Sequence, residues 1–134
     1  MITVFTPTYN RGNLLNRLYQ SLCQQIHKDF EWVVVDDGST DETSSIVKMI
    51  QDKHTYENFP IYYLKKENGG KHTAVNKGVQ KANGDLFFIA DSDDILPPNA
   101  LHIVAEVWEQ TKCDNSIGGI CGFDGNINDG SLIG

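Results

Sequence analysis

Three carboxylates, Asp91, Asp93 and Asp94, stand immediately after an apolar run, Leu86-Phe87-Phe88-Ile89-Ala90. Like charges a few ångströms apart disfavour joint ionisation. A hard divalent cation such as Mg²⁺ or Mn²⁺ removes that cost through carboxylate oxygens. The competing reading is a solvated acidic turn that caps the next helix, which Pro97 and Pro98 suit as a first turn. A second acid pair, Asp36-Asp37, is followed by Gly38-Ser39. A carboxylate there can accept from a ribose hydroxyl or a base N–H, and glycine permits close backbone approach. The other acid of the pair then only caps a helix. Thr6-Pro7-Thr8-Tyr9-Asn10-Arg11 offers hydroxyls, an aromatic face and a cation, a set suited to a base and its phosphates or to a plain turn. Gly69-Gly70 before a helix can expose N–H groups to an anion, with Lys71 adding a point charge near a diphosphate.

These four stretches need a frame that brings them together. Ile2 to Thr6, Phe30 to Val35, Ile61 to Leu64 and Leu86 to Ala90 are short apolar runs bounded by breakers, the pattern of buried strands. Between them lie helical patterns. The first carries Leu14, Leu15, Leu18 and Leu22 with Asn13 as N-cap; the second carries Ile46, Val47 and Ile50 with Thr40 or Asp41 as cap. A third runs from Lys71 to Ala82 and a fourth from Asn99 to Glu109. A polar linker spans Lys53 to Pro60. Ile117 to Phe123 reads as a fifth strand, and Asp124 to Gly130 as a hairpin-type turn. Alternation of this kind predicts an α/β fold: a mostly parallel sheet with helices on both faces. Ligands in such sheets bind beyond the carboxyl ends of the strands, where strand order reverses. All four polar stretches sit at such ends. Ser131 to Gly134 opens a further strand, so the chain reads as a domain truncated at its C-terminus.

Composition narrows the function. The 134 residues suffice for roughly one domain, and the formal net charge of −7 comes without a Lys/Arg cluster. That argues against nucleic acid as partner. Cys23, Cys113 and Cys121 fit neither a disulfide framework nor a zinc pattern, which predicts buried free thiols in a reducing compartment. The four histidines lack paired metal spacing. The first residues lack a basic, apolar leader, and no run reaches membrane-spanning length. The loop after the first strand has only Gly12, so the nicotinamide-type Gly-x-Gly-x-x-Gly is absent, as is the Gly-x-x-x-x-Gly-Lys phosphate loop. Asp91 to His102 lacks the mid-loop glycine and terminal glutamate of an EF-hand.

With Thr6-Pro7-Thr8-Tyr9-Asn10, then Val33 to Asp41, then Asn68-Gly69-Gly70 through Gly84-Asp85, then Asp91-Ser92-Asp93-Asp94, the sequence resembles the family 2 glycosyltransferases. The matching pieces cover most of residues 2 to 98 in family order. The resemblance implies the GT-A (Rossmann-like) fold, residues 1–134 forming its nucleotide-sugar-binding part. It also implies a nucleotide-diphospho-sugar donor, most often UDP-linked, and inversion at the anomeric carbon. Thr6, Tyr9 and Asp37 are then the nucleoside contacts, with Arg11 as a possible addition, and Lys71 and Asp91 also meet the nucleotide. Asp93 ligates Mn²⁺ or Mg²⁺; Asp94 supports the donor sugar or caps the following helix. Many relatives carry Ala-Arg-Asn where this chain has Ala74-Val75-Asn76, so that arginine's phosphate contact is not carried over. The acceptor is a hydroxyl-bearing sugar or lipid-linked molecule. The setting is cell-envelope polysaccharide or glycoconjugate synthesis in the cytoplasm, peripheral to the inner face of the membrane. The catalytic base is expected beyond Gly134. Two other readings stay open: a sugar nucleotidylyltransferase, and a nucleotide-sugar-binding module without catalysis.

Overall fold

The computed structural model describes residues 1–54, 59–122, 124–125 and 132–133. Its elements are β1 (Ile2–Thr8), α1 (Gly12–Cys23), β2 (Phe30–Asp36), α2 (Thr43–Lys53), β3 (Ile61–Lys65), α3 (Lys71–Lys81), β4 (Leu86–Ile89), α4 (Ala100–Thr111), β5 (Asp124–Gly125) and β6 (Leu132–Ile133). The chain divides into two compact units, Met1–His102 and Ile103–Gly134.

In the first unit the strands run parallel in the order β3-β2-β1-β4. Strand order advances one way through β1, β2 and β3, then reverses to place β4 on the far side of β1. Right-handed crossovers therefore put α1 and α2 on one face and α3 on the other. Each face has its own core. Phe5, Val33, Val35 and Ala74 are fully buried under α3, with Tyr62, Leu64, Val75 and Phe87 packed against them. On the opposite face Val4, Trp32 and Val34 are buried, as are Leu15, Leu18 and Leu22 of α1 and Val47 of α2. Each such side chain contributes roughly 1.5–3 kcal/mol by leaving water. Gly78 lets α3 lie directly on the sheet: a Cβ there would fall 2.3 Å from two ring carbons of Phe5.

β1 continues through Pro7 to Thr8 rather than stopping at Thr6. Pro7 faces the β4 side, where pairing has already ended at Phe5 with Ile89, so the missing N–H costs no ladder bond. Helix starts also differ from expectation. Arg11, not Asn13, is the N-cap of α1, and the Gly12 N–H is satisfied by Thr43 Oγ1 of α2 at 3.1 Å. Glu42 is the N-cap of α2, while the Asp41 carboxylate accepts from both the Thr43 N–H and its hydroxyl.

The second unit departs most from the sequence reading. Residues 117–122 form no strand, and Phe123 lies outside the described residues. Gly118, Gly119 and Gly122 supply three backbones in six with no side chain to pack, which weakens any strand. Asp124–Gly125 pairs antiparallel with Leu132–Ile133, as a hairpin requires; the turn itself lies outside the described residues. The thiols are free, but only Cys23 is half-buried, and Cys113 and Cys121 are exposed.

Candidate functional site

Four loops meet beyond the carboxyl ends of the strands, around the point where β4 leaves the order set by β1 to β3. Asn10 joins the first two. It sits at φ 52°, a left-handed conformation that asparagine tolerates better than most side chains. Its backbone N–H donates to Ser39 Oγ (2.8 Å), and its Oδ1 accepts from the Thr40 and Asp41 N–H groups at 2.9 and 3.3 Å. Tyr9, next to it, stays 47% exposed.

The two acids at the end of β2, Asp36 and Asp37, separate cleanly. Asp36 is wholly buried and accepts from the Ser39 N–H (2.7 Å) and the Tyr63 hydroxyl (2.6 Å), so it is the one that shapes the turn. Burial, and next the Asp36 contact, push the Tyr63 hydroxyl up to about 12. Asp37 accepts from Lys66 Nζ (2.5 Å), the Gly69 N–H (3.0 Å) and the Gly70 N–H (2.7 Å). Burial pushes its carboxyl up, but Lys66 and the two amides outweigh that and hold it below its ordinary value. An ionised carboxylate has about four acceptor positions, so three donors leave room for a further one. The glycine amides foreseen as an anion site are thus turned on Asp37 itself, with Gly70 at φ +92°.

In the acidic loop, Asp94 Oδ2 accepts from the Asp91 N–H (2.7 Å) and the Asp94 N–H donates to the Asp91 carbonyl (3.0 Å), closing a tight turn. Asp91 receives Lys71 Nζ on both oxygens, at 2.7 and 2.9 Å. Asp93 lies 3.7 Å from Arg11 Nη1, both side chains more than half exposed. The two carboxylates therefore carry one cation each. Among the described residues, no three His, Cys, Asp or Glu side chains are grouped to hold a metal by themselves.

Pro7, Thr8, Tyr9, Arg11, Asp37, Lys71, Ala74, Asp91 and Ser92 line one cavity of about 360 Å³. Tyr9, Arg11, Asp37, Lys71 and Asp91 are thereby brought together, with Asp93 tied in through Arg11. Thr6 is not. Its side chain is wholly buried among the helices of the α1 face and its Oγ1 accepts from Trp32 Nε1 at 3.0 Å. Asp94 braces the turn and does not line the cavity. Thr8 rather than Thr6 lines the cavity, and strand alternation carries the signal: both threonines share one face, and only the one at the strand end reaches the cavity. Lys66 left no signal, because nothing in the sequence pairs it with Asp37. A second cavity of about 270 Å³ lies between α1 and α2. Ile46, Met49, Ile50 and Tyr19 line it with Lys53 as its cation and no carboxylate, so we do not assign it this chemistry.

The sequence model of glycosyl transferase family 2 matches residues 3–132. The chain belongs to glycosyl transferase family 2. Glycosyltransferase GlyG of Streptococcus pneumoniae is 32% identical over 127 residues, which are 92% of this chain and 40% of that protein. Mannosyltransferase PcManGT from Pyrobaculum calidifontis, solved with GDP-Man and Mn²⁺, superposes with a TM-score of 0.74 at 30% identity, over 80% of this chain and 32% of its own. S. aureus TarS 1-349 with UDP gives a TM-score of 0.72 at 30% identity, over 83% of this chain and 32% of its own. The four-stranded parallel sheet flanked by helices is thus similar to the GT-A glycosyltransferases, and this family 2 chain spans two fifths or less of these three relatives.

Proposed function

We propose that residues 1–134 are the donor-binding part of a metal-dependent inverting glycosyltransferase that takes a nucleotide-diphospho-sugar, UDP-linked. The observation that carries this reading is the cavity where an exposed aromatic, a hydrogen-bonded carboxylate, two cations and the acid Asp91 converge at the reversal of strand order, with Asp93 reached through Arg11. Tyr9 offers a face for the base and Asp37 its remaining acceptor position for a base N–H or ribose hydroxyl. Lys71 and Arg11 supply positive charge for the diphosphate. Asp91 and Asp93 fit a divalent cation: both present hard oxygens, and Mg²⁺-like ions are commonly held by one or two carboxylates together with substrate phosphates. Asp93 would be the ligand and Asp91 would lie near ribose or a metal-bound water; when bound, the cation stabilises charge developing on the leaving diphosphate.

In the reaction, a hydroxyl oxygen of the acceptor forms a bond to the anomeric carbon while the bond from that carbon to the diphosphate oxygen breaks on the opposite face. The acceptor proton passes to a carboxylate base within hydrogen-bond reach. We assign that base to none of the described residues. Glu106 and Glu109 are exposed on α4, and Glu109 pairs with Lys112. Base and acceptor site are then supplied by the part of the family that this chain does not span. The acceptor is a hydroxyl-bearing sugar or lipid-linked molecule, and the setting is cell-envelope polysaccharide or glycoconjugate synthesis in the cytoplasm beside the membrane. Among the described residues no helix is long and apolar enough to cross a membrane.

Calorimetric titration with UDP, with and without Mn²⁺, tests the reading. Mn²⁺ should strengthen UDP binding, and Asp93→Ala should remove most of that gain. Binding that ignores both Mn²⁺ and the substitution overturns the role given to Asp93.

A further inference from the structure

Lysines normally keep the ammonium in water, but the Lys66 side chain is only 20% exposed, against 59% for Lys71. Its backbone and its side chain are both tied to the end of β2. The Lys66 N–H donates to the Asp36 carbonyl at 2.9 Å, just past the last β2–β3 pair, Asp36 with Lys65. Its Nζ turns back to Asp37 Oδ1 at 2.5 Å and also donates to the Glu67 carbonyl. Donors are unevenly shared on Asp37. Oδ1 accepts from Lys66 and from the Gly69 N–H, whereas Oδ2 accepts from the Gly70 N–H. Each carboxylate oxygen has about two acceptor positions, so the open one lies on Oδ2.

Asp37 lines the cavity and Lys66 does not. The other charged groups around this carboxylate are engaged elsewhere or face solvent. Asp36 accepts from Ser39 and Tyr63, Lys65 donates to the Ser39 carbonyl, Lys71 pairs with Asp91, and Arg11 lies near Asp93. Glu67 and His72 are exposed. Among the described residues, Lys66 is the cation paired with Asp37. We propose that Lys66 is a positioning residue for donor binding: by pinning Oδ1 it fixes the rotation of the Asp37 carboxylate and leaves Oδ2 to accept from the nucleoside. This rests on the nucleotide-sugar reading above. The ammonium also offsets the burial that works against the charged carboxylate. Without it the two glycine amides would oppose burial unaided, and the carboxyl would titrate at higher pH than in the natural chain.

Lys66→Met removes the ammonium and keeps an apolar stem, while Lys66→Arg keeps a cation of similar reach. Two measurements on the full chain test the role: UDP affinity with Mn²⁺ as a function of pH, and the amide proton shifts of Gly69 and Gly70 in the ligand-free protein over the same range. At neutral pH Lys66→Met should lose about two- to thirtyfold in UDP affinity, the range for residues that act on a ligand without touching it. Its affinity should also begin to fall at higher pH on acidification, and the two glycine amides should titrate at higher pH with it. Asp91, Asp93 and the UDP phosphates titrate alike in all three proteins, so the displacement between profiles belongs to Asp37. Lys66→Arg should restore both profiles. A lysine that only stabilises the fold would lower the thermal midpoint of Lys66→Met and leave both pH profiles in place; that result, or unchanged UDP affinity, overturns the proposal. Failure of the natural chain to bind UDP overturns the nucleotide reading and the role in binding with it, while the glycine amides still report whether Lys66 holds Asp37.

Discussion

At the residue scale the site is a set of carboxylates already provided with donors. Lys71 Nζ donates to both carboxylate oxygens of Asp91, and Arg11 lies near Asp93. A divalent cation must compete with these pairs, while a diphosphate would draw the two cations away from them. On the proposed reading the two ligands would therefore assist each other, and such coupling is reciprocal. Lys71→Met should then act with opposite signs: stronger Mn²⁺ binding without nucleotide, by about two- to fivefold given the worth of an exposed pair, and weaker UDP binding. Electron paramagnetic titration of Mn²⁺ reads the first and calorimetry the second; a loss of both would show that Lys71 only supports the fold. Asn10 is a residue of a different kind, since it joins loops and lines neither of the two cavities described. Asn10→Ala places alanine at a positive φ costing about 1–2 kcal/mol and removes the acceptor for two backbone amides. Asn10→Gly restores the dihedral without the acceptor. The alanine variant should show the lower urea midpoint, and both should bind UDP more weakly than the natural chain.

At the scale of elements, α3 connects the core to the site, because its first turn carries Lys71 and its middle rests on Phe5 through Gly78. Gly78→Ala forces the Cβ into the ring, and overpacking of this kind costs about 1–3 kcal/mol. Thermal denaturation should register that loss, and UDP affinity should fall with it as the helix start shifts against Asp37 and Asp91. The elements themselves were largely legible in the sequence. Val33-Val34-Val35 is apolar on successive positions because both faces of the parallel sheet are covered there, the edge strand Leu86 to Ile89 is apolar but only partly covered, and Leu15, Leu18 and Leu22 repeat at the helical period. What misled was local chemistry overruled by distant partners. Pro7 looks like a strand end until β4 is known to stop short of it. Asn13 looks like a cap until Thr43 of another helix is found on the Gly12 amide. Apolar Ile117 and Ile120 looked like a strand despite the glycines around them.

For the molecule as a whole, folding acidifies two buried carboxyls. Burial pushes Glu31 up, but the Thr3 hydroxyl and the Asn83 donors outweigh it, so it ends below its ordinary value, as Asp37 does. A carboxyl depressed in the folded state adds stability that is fully present above its unfolded value and is lost as pH falls through its folded one. The urea midpoint should therefore be level near neutrality and fall as pH drops below the ordinary values of 4.5 for Glu and 3.8 for Asp. Glu31→Gln should flatten that fall. The long-range pairs behind this behaviour explain why the site was less legible than the fold. Glu31 and Asn83 are 52 positions apart, and Lys71 and Asp91 are 20 apart. The order of motifs singled out Tyr9, Asp37, Lys71, Asp91 and Arg11, because loop chemistry at strand ends is local. Choosing Thr8 over Thr6, or finding Lys66 beneath Asp37, requires the register.

The division into two compact units has an optical consequence. The chain has two tryptophans, and each unit holds one: Trp32 is wholly buried in β2 within Met1–His102, and Trp108 is half-buried in α4 within Ile103–Gly134. Trp32 stacks on Tyr19 at 6.1 Å between ring centres and gives its N–H to Thr6, so its emission belongs at short wavelength, shielded from dissolved quenchers. Each indole is thus a built-in lamp for its own unit. Unfolding followed separately in Trp32→Phe and Trp108→Phe proteins would tell whether the sheet and the C-terminal unit go dark together or one after the other.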